Sequence, residues 1–147
     1  MLGRSEIAAR IPHAGRMCLL DRVIDWDSRN IRCSAESHRE PDHPLRERGG
    51  LPVWAAIEYA AQAAAVHGSL LQASMQPRAG VLGKLLNVRP GCEWLDRIAS
   101  PLVLEATLLH GDSSGGIYTF AAHGDGALLL QGQFTLMFQG RDEGAPR

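Results

Sequence analysis

The chain has 147 residues, 45% of them hydrophobic and 21% charged, enough apolar material for one compact domain that needs neither disulfides nor metal. Formal net charge is -1 and like charges form no block, which excludes the broad basic footprint of a phosphate-backbone binder, so no nucleic-acid partner is expected. Cys18, Cys33 and Cys92 lie far apart with no Cys-x-x-Cys pair and read as reduced, buried thiols of a cytoplasmic protein, and the first residues carry arginines without the apolar run of an export signal.

The apolar pattern opens with a short helical turn over Ser5 to Arg10, capped by Ser5 and ended by Pro12. Met17 to Trp26 reads as a first strand. After the polar turn Asp27-Ser28-Arg29-Asn30, apolar Ile31, Cys33 and Ala35 alternate with Arg32, Ser34 and Glu36, which makes a half-buried hairpin. Ser37 to Gly50 lacks periodicity and is rich in Pro, Gly and charge, the composition of an exposed loop. Pro52 then stands where a first helical turn tolerates proline, and the alanine-rich run to Ala73 predicts one long helix. Further strands are expected at Val81 to Val88, Leu102 to Leu109, Ile117 to Ala122 and Ala127 to Phe138, separated by turn signals. The domain is therefore placed at 1–138, with 139–147 expected to be a disordered tail. One antiparallel sheet can hide so apolar a helix only by curling around it, giving an α+β hotdog fold with one long central helix.

Between Val53 and Ala73 the one formally charged side chain is Glu58, among Trp54, Ala55, Ile57, Ala61 and Ala65. A carboxyl in dry surroundings either finds partners or keeps its proton near neutral pH, and a protonated carboxyl can act as a general acid. The competing reading is a solvated helix stripe: at ~100° per residue Gln62 and Gln72 fall within about 40° of Glu58. That stripe holds no Lys, Arg or Asp, which favours the functional reading. A membrane helix is disfavoured by Glu58, Gln62, His67 and Gln72 within the run.

In the charged loop, His43 precedes Glu58 with the helix start between them, where free N–H groups could hold a developing anion. Alone, His43 reads more readily as a solvated loop histidine. His38 and Asp42 permit a zinc reading, but the spacing matches no known ligand geometry, and neither metal nor cofactor is expected. His110 and His123 border turns and read as surface residues.

The segments IPHAGRMCLLDRVIDWD and LPVWAAIEYAAQAAAVHG resemble the 3-hydroxyacyl-carrier-protein dehydratases of the hotdog superfamily, most closely the dehydratase-like subgroup of aryl polyene clusters. The resemblance covers nearly the whole chain. It implies His43 and Glu58 as the catalytic pair, contributed by different subunits of a homodimer or of a heterodimer with a related hotdog subunit. It further implies Gln62 as the group orienting Glu58, the Val53 N–H as donor to the thioester oxygen, and a structural role for His13. The family's His-Phe-Pro-Gly here reads His43-Pro44-Leu45-Arg46, the loop to the helix is one residue longer, and Val53 replaces a glycine.

The reaction so implied converts a 3-hydroxyacyl thioester on acyl carrier protein to the trans-2-enoyl thioester, in fatty-acid-like or polyene synthesis. Trp54, Leu70 or Leu85 would line an acyl tunnel, and Arg39, Arg46, Arg48, Arg78, Lys84 and Arg89 are candidates for docking an acidic carrier. Two alternatives stay open: a half-site or non-catalytic subunit paired with an active homologue, and an acyl thioesterase.

Overall fold

The computed structural model describes residues 1–11, 17–72 and 80–138. His13, Arg78 and the segment 139–147, for which expectations were formed, lie outside these residues. The elements run α1 (Arg4–Ala8), β1 (Arg22–Trp26), β2 (Asn30–Ala35), α2 (Ala55–Gln72), β3 (Gly80–Pro90), β4 (Leu102–Asp112), β5 (Gly115–Gly124) and β6 (Ala127–Phe138). Strands pair in the order β1-β2-β4-β5-β6-β3, every ladder antiparallel. The sheet packs α2 against β2, β4, β5, β6 and β3, which is the hotdog arrangement.

Residue periodicity explains the wrapping. β5 alternates buried and half-buried along its whole length, so Tyr118, Phe120 and Ala122 face the helix. Leu102, Leu104 and Ala106 do so from β4, and Phe134 and Leu136 from β6; Phe120 and Phe134 stack with centroids 5.0 Å apart. The facing side of α2 is mostly alanine, Ala56, Ala60, Ala63 and Ala64 all fully buried, which lets helix and sheet approach closely.

Several local expectations need correction. The first helix is capped by Gly3, whose N–H is held by the Glu6 carboxylate, so Ser5 lies inside it. The first strand begins at Arg22, because Met17 and Leu19 are bonded to a helix side chain instead of to a ladder. Ser37 to Gly50 is not simply exposed: a 3-10 turn at Ser37–Arg39 and the rings of His38 and His43 are buried, since each finds hydrogen-bond partners inside.

The two edges of the sheet differ. β1 is crossed by the N-terminal segment at Leu2. β3 is exposed along most of its length, with Val81, Leu85 and Leu86 each more than a third accessible and its outer backbone edge unpaired among the described residues. Among the described residues no helix is long and apolar enough to cross a membrane.

Candidate active site

Glu58 stands in the first turn of α2 and is exposed, as is Trp54 one turn before it, at 51%. The carboxyl opens into a cavity of about 150 Å³ lined by Ile11, Ala61, Ala65, Leu82 and Leu136, beside β3. A larger hollow, about 460 Å³, lies elsewhere, on the outer face of the sheet over Thr107, Thr119, Gln131 and Gln133. Glu58 is thus an acid at the mouth of a mainly apolar groove, next to an open sheet edge.

His43 is not brought to Glu58 within the chain. Its ring is 4% exposed and turned inward, with Nε2 2.9 Å from the Tyr59 hydroxyl and Nδ1 accepting from Leu45 N–H at 3.0 Å. The acceptor role of Nδ1 puts the proton of the neutral ring on Nε2, which therefore donates to Tyr59 Oη. The Ser37 hydroxyl donates to Leu19 O at 2.9 Å, so Tyr59 O–H donates to Ser37 Oγ at 2.7 Å. One directed chain runs from His43 Nε2 through Tyr59 and Ser37 to Leu19, and with the Leu45 N–H on Nδ1 both imidazole nitrogens are engaged. Burial pushes the Tyr59 phenol pKa up, keeping it neutral and a donor.

Gln62 lies one turn after Glu58 but directs its amide elsewhere: Oε1 accepts from Leu19 N–H at 2.9 Å and Nε2 donates to Met17 O at 2.7 Å. It ties the segment before β1 to the helix. The Val53 N–H is also occupied, donating to Glu93 O at 2.9 Å, while Leu95 N–H reaches Leu51 O at 2.8 Å. Residues 51–53 therefore form a short antiparallel contact with 93–95, braced by Asp96, which accepts from Leu51 N–H at 2.9 Å and pairs with Arg46 at 3.3 Å. Gly50, at φ 134°, is needed here: a Cβ would fall 2.6 Å from Asp96 Oδ1. Tight turns close the next amides, from Ala55 to Pro52, Ala56 to Val53 and Ile57 to Trp54. Of the N–H groups from Leu51 to Ile57, that of Trp54 alone has no acceptor among the described residues. Sequence reasoning missed it because the pairing with Glu93 joins segments forty residues apart.

Two further histidines, His67 and His38, are structural in setting. His67, fully buried on the far side of α2, bonds Tyr118 Oη and Asp27 O, both at 2.8 Å. His38 bonds Ile98 O at 2.9 Å, and its Nδ1 is buried with no hydrogen-bond partner among the described residues. Desolvation lowers the pKa of both rings and favours their neutral forms. Among the described residues no three His, Cys, Asp or Glu side chains come together as a metal site.

Comparison with known proteins settles the family. Residues 5–143 match the model of the ApeP-like family, described as ApeP dehydratase. The chain belongs to this dehydratase family. The dehydratase heterocomplex ApeI:P from Xenorhabdus doucetiae is similar at 25% identity and TM-score 0.79, over 92% of this chain and 91% of that one. More distant likenesses concern the fold alone. The sigma28-regulated virulence protein Cj0977 from Campylobacter jejuni has 12% identity and TM-score 0.64, over 94% and 91% of the two chains. The thioesterase HI1161 from Haemophilus influenzae has 12% identity and TM-score 0.58, over 85% and 82%. Among curated proteins no sequence match is found.

Proposed function

We propose that this dehydratase acts on 3-hydroxyacyl thioesters of an acyl carrier protein, in fatty-acid-like or polyene synthesis, as the acid-bearing half of a site completed by a related hotdog subunit. The carrying observation is the contrast between Glu58, open beside the unpaired β3 edge, and His43, buried with both ring nitrogens engaged. The ApeI:P neighbour is itself a heterocomplex, which supports a related partner over a second copy of this chain.

A subunit added along β3 would cover Trp54, Leu85 and Glu58, and exclusion of water is the condition under which a carboxyl holds its proton near neutrality. The base, an imidazole from the partner, takes the C2 proton. Negative charge grows on the thioester oxygen, and the Trp54 N–H at the start of α2 is the donor available to it. Glu58 then gives its proton to the C3 hydroxyl as the C3–O bond breaks; water leaves and the C2–C3 double bond forms. Proton return from imidazolium to Glu58 resets the site. His43 enters this scheme only by leaving Tyr59. Arg48, Lys84 and Arg89 are exposed and pair with no acid among the described residues, so they are available to an acidic carrier, whereas Arg39 and Arg46 already hold Glu36 and Asp96.

The test is to incubate 3-hydroxyacyl carrier protein with this chain alone, with a related hotdog subunit alone and with both. Enoyl product appearing in the mixture and vanishing with Glu58→Gln is expected. Unchanged turnover by the Glu58→Gln mixture would sink the proposal, and release of free acid would point to a thioesterase instead.

A further inference from the structure

The chain enters α2 through a short ladder in which Pro52 has no N–H to give. Val53 N–H reaches Glu93 O at 2.9 Å and Leu95 N–H reaches Leu51 O at 2.8 Å. A side chain supplies the further tie. Asp96 Oδ1 accepts from Leu51 N–H at 2.9 Å, and Oδ2 lies 3.3 Å from the Arg46 guanidinium. Arg46 N–H in turn donates to His43 O at 3.0 Å, and Glu47 and Gly50 exchange backbone bonds at 2.8 and 3.1 Å. One carboxylate thus joins the turn after His43, the start of the helix and the segment ahead of β4.

Its seat is tight. A Cβ on Gly50 would fall 2.6 Å from Oδ1 and 2.8 Å from Oδ2. The Asp96 side chain is 13% exposed, so water competes little for its bonds, and an ionised acceptor makes them stronger than a neutral one would. Just beyond this brace, the N–H groups of Leu51 and Val53 are anchored and those of Ala55, Ala56 and Ile57 close into turns. The Trp54 N–H, between the two sets, has no acceptor among the described residues, and Glu58 follows one turn later. A donor stabilises a developing oxyanion only when held roughly 2.7–3.1 Å from it, so the stiffness of the backbone before Trp54 bears on the chemistry.

We infer that Asp96 is a positioning residue for the dehydration: by holding Leu51 it fixes where the Trp54 N–H stands. The inference rests on the reading above in which that N–H receives the charge on the thioester oxygen. Asp96 acts on it through three residues of backbone.

The test measures kcat and KM for 3-hydroxyacyl carrier protein, normalised to folded protein, in the assembly formed with a related hotdog subunit. Asp96→Ala removes the acceptor, and kcat should fall about tenfold or more. KM should stay within about twofold, because the oxygen gains its charge only in the transition state. Asp96→Leu, which fills the space without an acceptor, serves where Asp96→Ala does not fold. Asp96→Asn keeps a carbonyl oxygen for Leu51 N–H and should return kcat to within about threefold of the unaltered assembly, while its melting temperature stays lowered by the lost pair with Arg46. A carboxylate that only stabilised the fold would shift melting in these variants and leave kcat per folded molecule alone. That result, or no rescue of kcat by Asp96→Asn, overturns the inference. Glu58→Gln is measured alongside: loss of turnover there with kcat intact in Asp96→Ala overturns the positioning role alone, and turnover kept in both overturns the chemical reading as well.

Discussion

The two flanks of α2 carry similar chemistry in opposite states. The buried polar side chains of α2 are each engaged: on the inner flank Tyr59 holds His43 and Ser37 and His67 holds Tyr118 and Asp27, and at the margin of the Glu58 groove Gln62 holds Met17 and Leu19. On the outer flank Trp54 is exposed and Glu58 lines a groove beside a strand edge that is unpaired among the described residues. Buried polar groups without partners are costly, so the bonds of the inner flank stabilise the fold, while an exposed acid beside exposed apolar surface fits the proposed second subunit. In this chain His43 is hydrogen-bonded through both ring nitrogens.

Substitutions should separate these roles. The largest effect is expected at the open flank: Glu58→Gln should lower dehydration by the assembled protein on the order of a hundredfold or more, about 2.7 kcal/mol of barrier. Its melting temperature should stay put, as for exposed substitutions within about 0.5 kcal/mol. Denaturant unfolding gives the stability half of that result. At the buried polar side chains the pattern should invert. Gln62→Ala leaves Leu19 N–H and Met17 O without their partner and should cost about 1–3 kcal/mol, and Tyr59→Phe, which removes the hydroxyl between His43 and Ser37, should cost about the same. Turnover per folded molecule should change little in either; a large loss of turnover without a shift in melting would break the distinction.

Next comes pH. His38 and His67 have folded pKa values held below the ordinary histidine value by burial, so the unfolded chain binds protons more readily than the folded one. Their contribution to stability is complete above about pH 6.5 and is lost as pH falls from there through the folded values. Thermal melts across that range should show the decline, and His67→Gln should flatten it; no flattening would remove His67 from the account. The smallest effect should come from Arg48→Ala with Lys84→Ala, a few-fold rise in KM for a carrier-bound substrate that shrinks with added salt.

Much of the fold was legible because it rests on local periodicity. The alternation in β2 and β5, the alanine run of α2 and the turn signals between strands each follow from nearest-neighbour chemistry, and Glu58 stood out as an acid without charged company. What escaped depends on contacts distant in sequence. Whether His43 points outward or inward is decided by Tyr59 and Leu45, whether Val53 N–H is free by Glu93, and where Met17 and Leu19 find partners by Gln62. Phe138 meets Gly68 across seventy residues, so neither residue announced the other.

The division of labour across α2 is tested most directly by replacing His43 with Gln in the assembly formed with a related hotdog subunit and following conversion of 3-hydroxyacyl carrier protein to the enoyl form, normalised to folded protein. The account predicts a lower melting temperature and turnover within a few-fold of the unaltered assembly. A loss of a hundredfold or more at unchanged melting temperature would contradict it, making His43 the catalytic base.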